Sequence, residues 1–186
     1  MTPPISLPED FAFETDLLTF RIERRLGARV AQSSFSKETK LCLITVPDTF
    51  DGTNSAHVVW LRTVVKETLR RVAKMVIVPR LAAIAQEYGY TFRRVFVKDV
   101  TSRWGSCSEN GNINLSLWLT LLPSRFVDYV LKHELAHLRE LNHSARFWTE
   151  VDKMTGGPGT AKALSKAKNE YIRSHLLPLL SLINPR

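Results

Sequence analysis

The chain has 186 residues, 44% of them hydrophobic, with a net charge of +8 and a pI near 9.8. That length suits one domain with a core large enough to need no disulfide staple, and Cys42 and Cys107 alone make no disulfide framework. The opening Met1-Thr2-Pro3-Pro4-Ile5-Ser6 lacks a signal peptide's basic start and apolar run, and no apolar stretch is as long as a membrane span. The expectation is a soluble, cytoplasmic protein with no membrane partner, whose basic charge favours contact with polyanions.

Residues 1–16 are Pro-rich and mixed and read as a loose N-terminal arm, leaving residues 17–186 as a single domain. Leu17 to Arg24 and Lys40 to Val46 alternate like strands, with Ser33 to Thr39 a polar connection and Phe50 to Ser55 a loop. From Ala56 to Val78 the period is helical, with Leu61, Val65, Thr68, Leu69, Val72 and Val76 on one side. Pro79 kinks or restarts this helix, which stops at Gly89. Phe92 to Val100 and Asn112 to Leu119 read as strands joined by a hairpin turn at Asn110-Gly111. Ser124 to Leu141 reads as an amphipathic helix, with Ser124 as its N-cap and Asn142 supplying left-handed geometry at its exit. Gly156-Gly157-Pro158-Gly159 breaks the chain before a last helix over Ala161 to Leu177.

The fold class expected from this order is α+β and zincin-like: a small mixed or antiparallel sheet over a metal-binding helix, backed by a long helix. An edge strand should line the cleft, and Ile113, Asn114 and Leu115 are the substrate-cleft candidates, because a free edge pairs with an extended peptide.

The chemistry concentrates in His133-Glu134-Leu135-Ala136-His137, followed by His143. Histidines four apart on a helix stand one turn apart on one face and can share a metal ion. His143 closes a three-ligand set with the fourth position open to water, the layout of a catalytic zinc site. Glu134 lies beside them as general base. The spacing to His143 matches that of metzincins, but Glu140 stands where their glycine belongs. Glu150 and Glu170 are the downstream carboxylates that could replace His143 as third ligand, and His143 is preferred because it needs only a turn at Asn142.

Further residues divide between chemistry and packing. Phe147 and Trp148 read as packing for the turn after the last ligand, and Cys107 reads as a buried structural thiol. Arg62, Lys66, Arg70 and Lys74 form a basic row on the long helix: either a stripe for nucleic-acid phosphates or, preferred, a solvated face. Arg103 and Asn142 are candidate donors to an oxyanion, and His57 and His175 carry no assigned role.

From Ser102 onward the chain resembles the YgjP-like metallopeptidases, relatives of the SprT-like zinc proteases. The resemblance rests on Ser102-Arg103-Trp104-Gly105-Ser106-Cys107, Gly111-Asn112-Ile113-Asn114-Leu115, His133-Glu134-Leu135-Ala136-His137-Leu138 and Asn142-His143-Ser144-Ala145-Arg146-Phe147-Trp148. It implies one zinc per chain on His133, His137 and His143, Glu134 as catalytic carboxylate, and a peptide or protein substrate. Two alternatives accompany it: a SprT-like protease acting on DNA-bound proteins, motivated by the basic charge, and a non-catalytic module in which zinc organises a peptide-binding cleft.

Overall fold

The structure, a computed structural model, describes residues 10–183. Strands β1 (Asp10–Glu14), β2 (Thr19–Arg25), β3 (Gln32–Ser36) and β4 (Leu41–Pro47) form a sheet in the order β1-β2-β4-β3. β2 and β4 are parallel, and the two outer strands run antiparallel to their neighbours. Residues 1–9 of the expected arm lie outside the described residues, but Asp10–Glu14 is a paired strand. The polar connection is corrected too. Gln32–Ser36 is strand β3, whose polar side chains suit an edge, where burial on one face is enough.

Phe20, Ile22, Cys42, Ile44 and Val46 are buried under this sheet, where the helix α1 (Ser55–Val72) packs against β3 and β4. Asn54 caps α1 by accepting from Ala56 and His57. Pro79 falls in the first turn of a new α-helical segment, the restart that the pattern predicts. A π-helical turn over Ala73–Ile77 carries the chain into α2 (Val78–Glu87), the Val78 amide reaching five residues back to Ala73. Proline has no amide and collides with the carbonyl four residues before it, and the wider turn relieves both. The turn advances the buried face by one position, so Ile77 is in the core and Val76, expected there, is only half-buried.

The second sheet has the order β5-β7-β6, built from β5 (Arg94–Lys98), β6 (Gly105–Cys107) and β7 (Asn112–Ser116). The Asn110-Gly111 turn, with Gly111 at φ 71°, joins β6 to β7, while β5 runs parallel to β7. The expected hairpin between β5 and β7 is therefore replaced by one with the three-residue strand β6, too short to show a period. This also overturns the choice of cleft strand. β7 is central, Ile113 and Leu115 are fully buried, and the Asn114 amide donates to Ser106 Oγ at 3.2 Å. The edge beside the helix that carries His133 is β6.

A 3-10 turn (Leu117–Leu121) leads from β7 into α3 (Ser124–Ala136), which packs against β6, α2, α4 (Ala145–Thr155) and α5 (Thr160–Tyr171). α4 fills a stretch for which the sequence pattern predicts no element. α5 passes through a second π turn, Ile172–Leu176, into α6 (Leu177–Ile183). Here too the residue before a proline, Leu177, bonds five residues back, to Ile172. The architecture is α+β, small mixed sheets against long helices. No helix among the described residues is long and apolar enough to cross a membrane.

Candidate metal centre

Helix α3 is anchored by groups from elsewhere in the chain. Ser124 is its first residue rather than its cap. Its amide donates to Asp16 Oδ1 at 2.8 Å and its hydroxyl donates to the other oxygen of Asp16, so a carboxylate from the β1–β2 connection sits at the positive end of α3. Arg80 of α2 holds Asp128 through two hydrogen bonds, and Phe126, Val127, Val130, Leu131 and Leu135 are buried in the core. The helix ends at Ala136, short of the expected Leu141, and Leu141 is exposed.

His143 is brought back by capping. Asn142 is not left-handed: Lys40 is the one described non-glycine residue with positive φ. Instead the Asn142 side-chain oxygen accepts from the Ser144 amide at 3.1 Å, and Ser144 Oγ accepts from Phe147 to start α4. Between these caps the His143 ring turns inward, its Nε2 3.1 Å from His133 Nε2. One ligand atom from each of His133, His137 and His143 lies within 4.8 Å of the others. Ligands on a tetrahedral zinc, each about 2.0–2.1 Å from it, stand about 3.3–3.4 Å apart, close to the 3.1 Å between the His133 and His143 nitrogens.

His133 and His137 are held in the form that binds a metal. His137 Nδ1 lies 3.0 Å from the Glu140 carbonyl, which can only accept, so the proton is on Nδ1 and Nε2 keeps its lone pair. Burial holds the His133 imidazole at about 3, with His137 and His143 adding to the effect, and burial also lowers His137. Neutral imidazole is the form that binds metal. Phe147, fully buried, supports all three rings, with centroids 4.8, 4.4 and 4.7 Å from those of His133, His137 and His143.

Glu134 is 5% exposed, and burial pushes its carboxyl up to about 8 against the pull of Lys168 and Arg103. Its Oε2 has no hydrogen-bond partner among the described residues. Over it lies Gly105 of β6, where a Cβ would fall 2.6 Å from Glu134 Cγ and Oε1. Only glycine permits so close an approach of strand to carboxylate. The three histidines and Glu134 adjoin a cleft of about 410 Å³ that His133, Glu134 and His143 help to line, its other walls including Trp104, Tyr129, Trp148 and Lys168.

A family model for the YgjP-like metallopeptidase domain matches residues 14–167. The chain belongs to the YgjP-like metallopeptidase family. As a family member it is a metal-dependent peptidase acting on peptide or protein substrates, and His133, His137 and His143 form a cluster that could hold a metal ion. A solved structure, the metallopeptidase zymogen of Pyrococcus abyssi abylysin, is 27% identical with a TM-score of 0.47, over 52% of this chain and 95% of that one. No curated protein gives a significant match.

Other candidates fall away from this centre. Glu150 binds Arg139, Lys153 and Tyr90 at 2.9, 2.6 and 3.0 Å, a position that accounts for its charge without a metal. Cys107 is half-buried, its thiol pushed up to about 11 by burial and then by Glu134, and it is not part of the histidine cluster. The basic row is neither open stripe nor purely solvated face: Lys66 pairs with Asp99 at 3.0 Å, and Arg70 donates to the Val97 carbonyl at 2.9 Å. A nucleic-acid partner gains no support from it.

Sequence reasoning missed Lys168. It sits in the apolar row of α5, with Ala161, Leu164 and Ile172 at spacings of three to four, and is 9% exposed. A lysine at a core position of a helix was the available signal.

Proposed function

We propose that this YgjP-like protein is a zinc peptidase in which His133, His137 and His143 hold one zinc through Nε2 and Glu134 is the general base. The observation that carries this reading is the convergence of three imidazole nitrogens beside a buried carboxylate with a free oxygen. Zinc there would polarise the scissile carbonyl and acidify a water.

The chain's own residues do the rest. The Glu134 carboxyl would be brought down from its metal-free value of about 8 by the charge of a bound zinc, so that it would stand ionised, accept the attacking water's proton at Oε2 and return it to the leaving amine. Gly105 and the packing around α3 keep that carboxylate in one place. The edge of β6, Gly105–Cys107, offers main-chain groups to an extended substrate beside the cleft. Asn142 spends only its acceptor oxygen on the Ser144 amide, so its side-chain NH2 stays a candidate oxyanion donor, and Arg103 is retained for its electrostatic contact with Glu134.

Metal analysis tests the ligand set. Wild type should carry one zinc per chain, and His133→Ala and His143→Ala should lose it. Glu134→Gln should keep zinc and lose hydrolysis by about 10²-fold or more. Full zinc content in both histidine variants, or retained hydrolysis in Glu134→Gln, refutes the assignment.

A further inference from the structure

Helix α5 turns one face to the cleft. Lys162, Ser165 and Lys168, three residues apart, lie along it. Lys162 is exposed at the rim, its Nζ 5.7 Å from the centre of the Trp148 ring, and Ser165 forms part of the wall. Lys168 lies deeper, 9% exposed, its Nζ 5.7 Å from the centre of the Tyr129 ring. His133, Glu134 and His143 line the same cleft.

A lysine is almost never this buried without a compensating anion. At this position of α5 leucine or methionine would continue the apolar row without that cost, so packing alone does not account for an ammonium here. The anion whose charge acts on Lys168 is Glu134. Glu134, however, is the residue the proposed mechanism requires to keep a free oxygen for water. The cleft wall therefore holds a buried cation and, beside it, the Tyr129 ring at 5.7 Å.

We infer that Lys168 is the floor of a substrate subsite that receives a carboxylate of the peptide, so that the protein prefers an acidic group beside the bond it cuts. This rests on the peptidase reading of the neighbouring centre. Two sources share the chemistry: an aspartate or glutamate side chain, and a C-terminal carboxylate. The Tyr129 and Trp148 rings hold the two ammonium groups, Trp104 closes another wall, and the apolar stem of the acidic residue would lie among them.

The test uses the zinc-loaded full chain and the fluorescence of Trp104 and Trp148, with acetyl-glutamate amide, acetyl-glutamine amide and acetyl-alanine as probes. Acetyl-glutamate amide should bind about ten-fold or more tightly than the glutamine probe, with a preference that weakens in salt. The preference should collapse in Lys168→Met and survive in Lys168→Arg. Tighter binding of acetyl-alanine would assign the seat to a C-terminal carboxylate. Equal affinities in wild type, or a preference unchanged in Lys168→Met, overturns the proposal, since the metal centre alone would then draw the anion.

Should Lys168→Met not fold, wild type alone decides. Its cleavage of a peptide library should show aspartate, glutamate or the C-terminus enriched at one position beside the cut, and a flat profile overturns the inference. Probe discrimination without any hydrolysis would leave the anion seat standing and defeat the peptidase reading. Hydrolysis without discrimination would do the reverse.

Discussion

Replacing Gly105 by alanine should damage the active centre without touching a ligand. The added methyl would stand 2.6 Å from Glu134 Cγ and Oε1 and 2.7 Å from Cδ, about 0.8 Å inside the shortest ordinary contact of 3.4 Å. The φ of Gly105 is not in the left-handed region, so the backbone accepts alanine and the effect is steric alone. The carboxylate of Glu134 has to give way, and moving it moves the proposed base. Glu134 is 5% exposed and fixed on a packed helix, and β6 is hydrogen-bonded to β7. A displacement near 1 Å at a catalytic group lowers kcat/KM by about 10²-fold, and overpacking costs about 1–3 kcal/mol of stability.

The assay is kcat/KM on a peptide that the wild type cleaves, with urea melts and metal analysis alongside. The metal content should stay at the wild-type level, because the three atoms nearest the new methyl all belong to Glu134. In a Glu134→Asp background the stability cost of Gly105→Ala should shrink, the two sites being coupled. A Gly105→Ala protein with activity within about threefold of wild type would refute the close-approach reasoning.

Two further outcomes rest on contacts outside the cleft. Asp16→Ala removes the acceptor for the Ser124 amide and should cost about 1 kcal/mol in chemical denaturation, while Asp16→Asn recovers much of it; equal losses in the two variants would argue against capping. Glu150 is held down to about 2, first by Lys153 and then, against burial, by Arg139 and Tyr90. Its folded pKa lies below its unfolded one, so its contribution is complete above about pH 4.5 and is lost as the pH falls toward 2. Glu150→Gln should therefore cost about 1–2 kcal/mol at pH 7, allowing for solvent screening, with the two proteins converging near pH 2; a pH-independent difference in melting temperature would contradict this.

The features legible in the chain alone are those that depend on neighbours in sequence. The four-residue spacing of His133 and His137 fixes their common face, and the polar residues around His143 mark a turn, although Asn142 and Ser144 make that turn by capping rather than by left-handed backbone. Strand order depends on partners far along the chain. β6 is three residues long and shows no period, so the pattern alone makes β7 an edge when it is the centre, and Ile113 and Leu115 are core. The predicted face of the long helix is right up to Val72 and wrong at Val76, because a proline ahead of it widens the turn. Lys168 is not legible because the sequence does not show what lies opposite a helix face.

Phe147 belongs to the hydrophobic core and to the histidine cluster at once. Its anchorage comes from apolar burial, so the imidazoles lean on something that does not depend on coordination for its position. A chelator should then extract the ion from a chain that stays folded, unlike a zinc finger, in which ion and fold are lost together. The melting temperature would fall only by the mass-action share of binding, and the emptied protein could be reloaded with a different divalent ion of similar geometry.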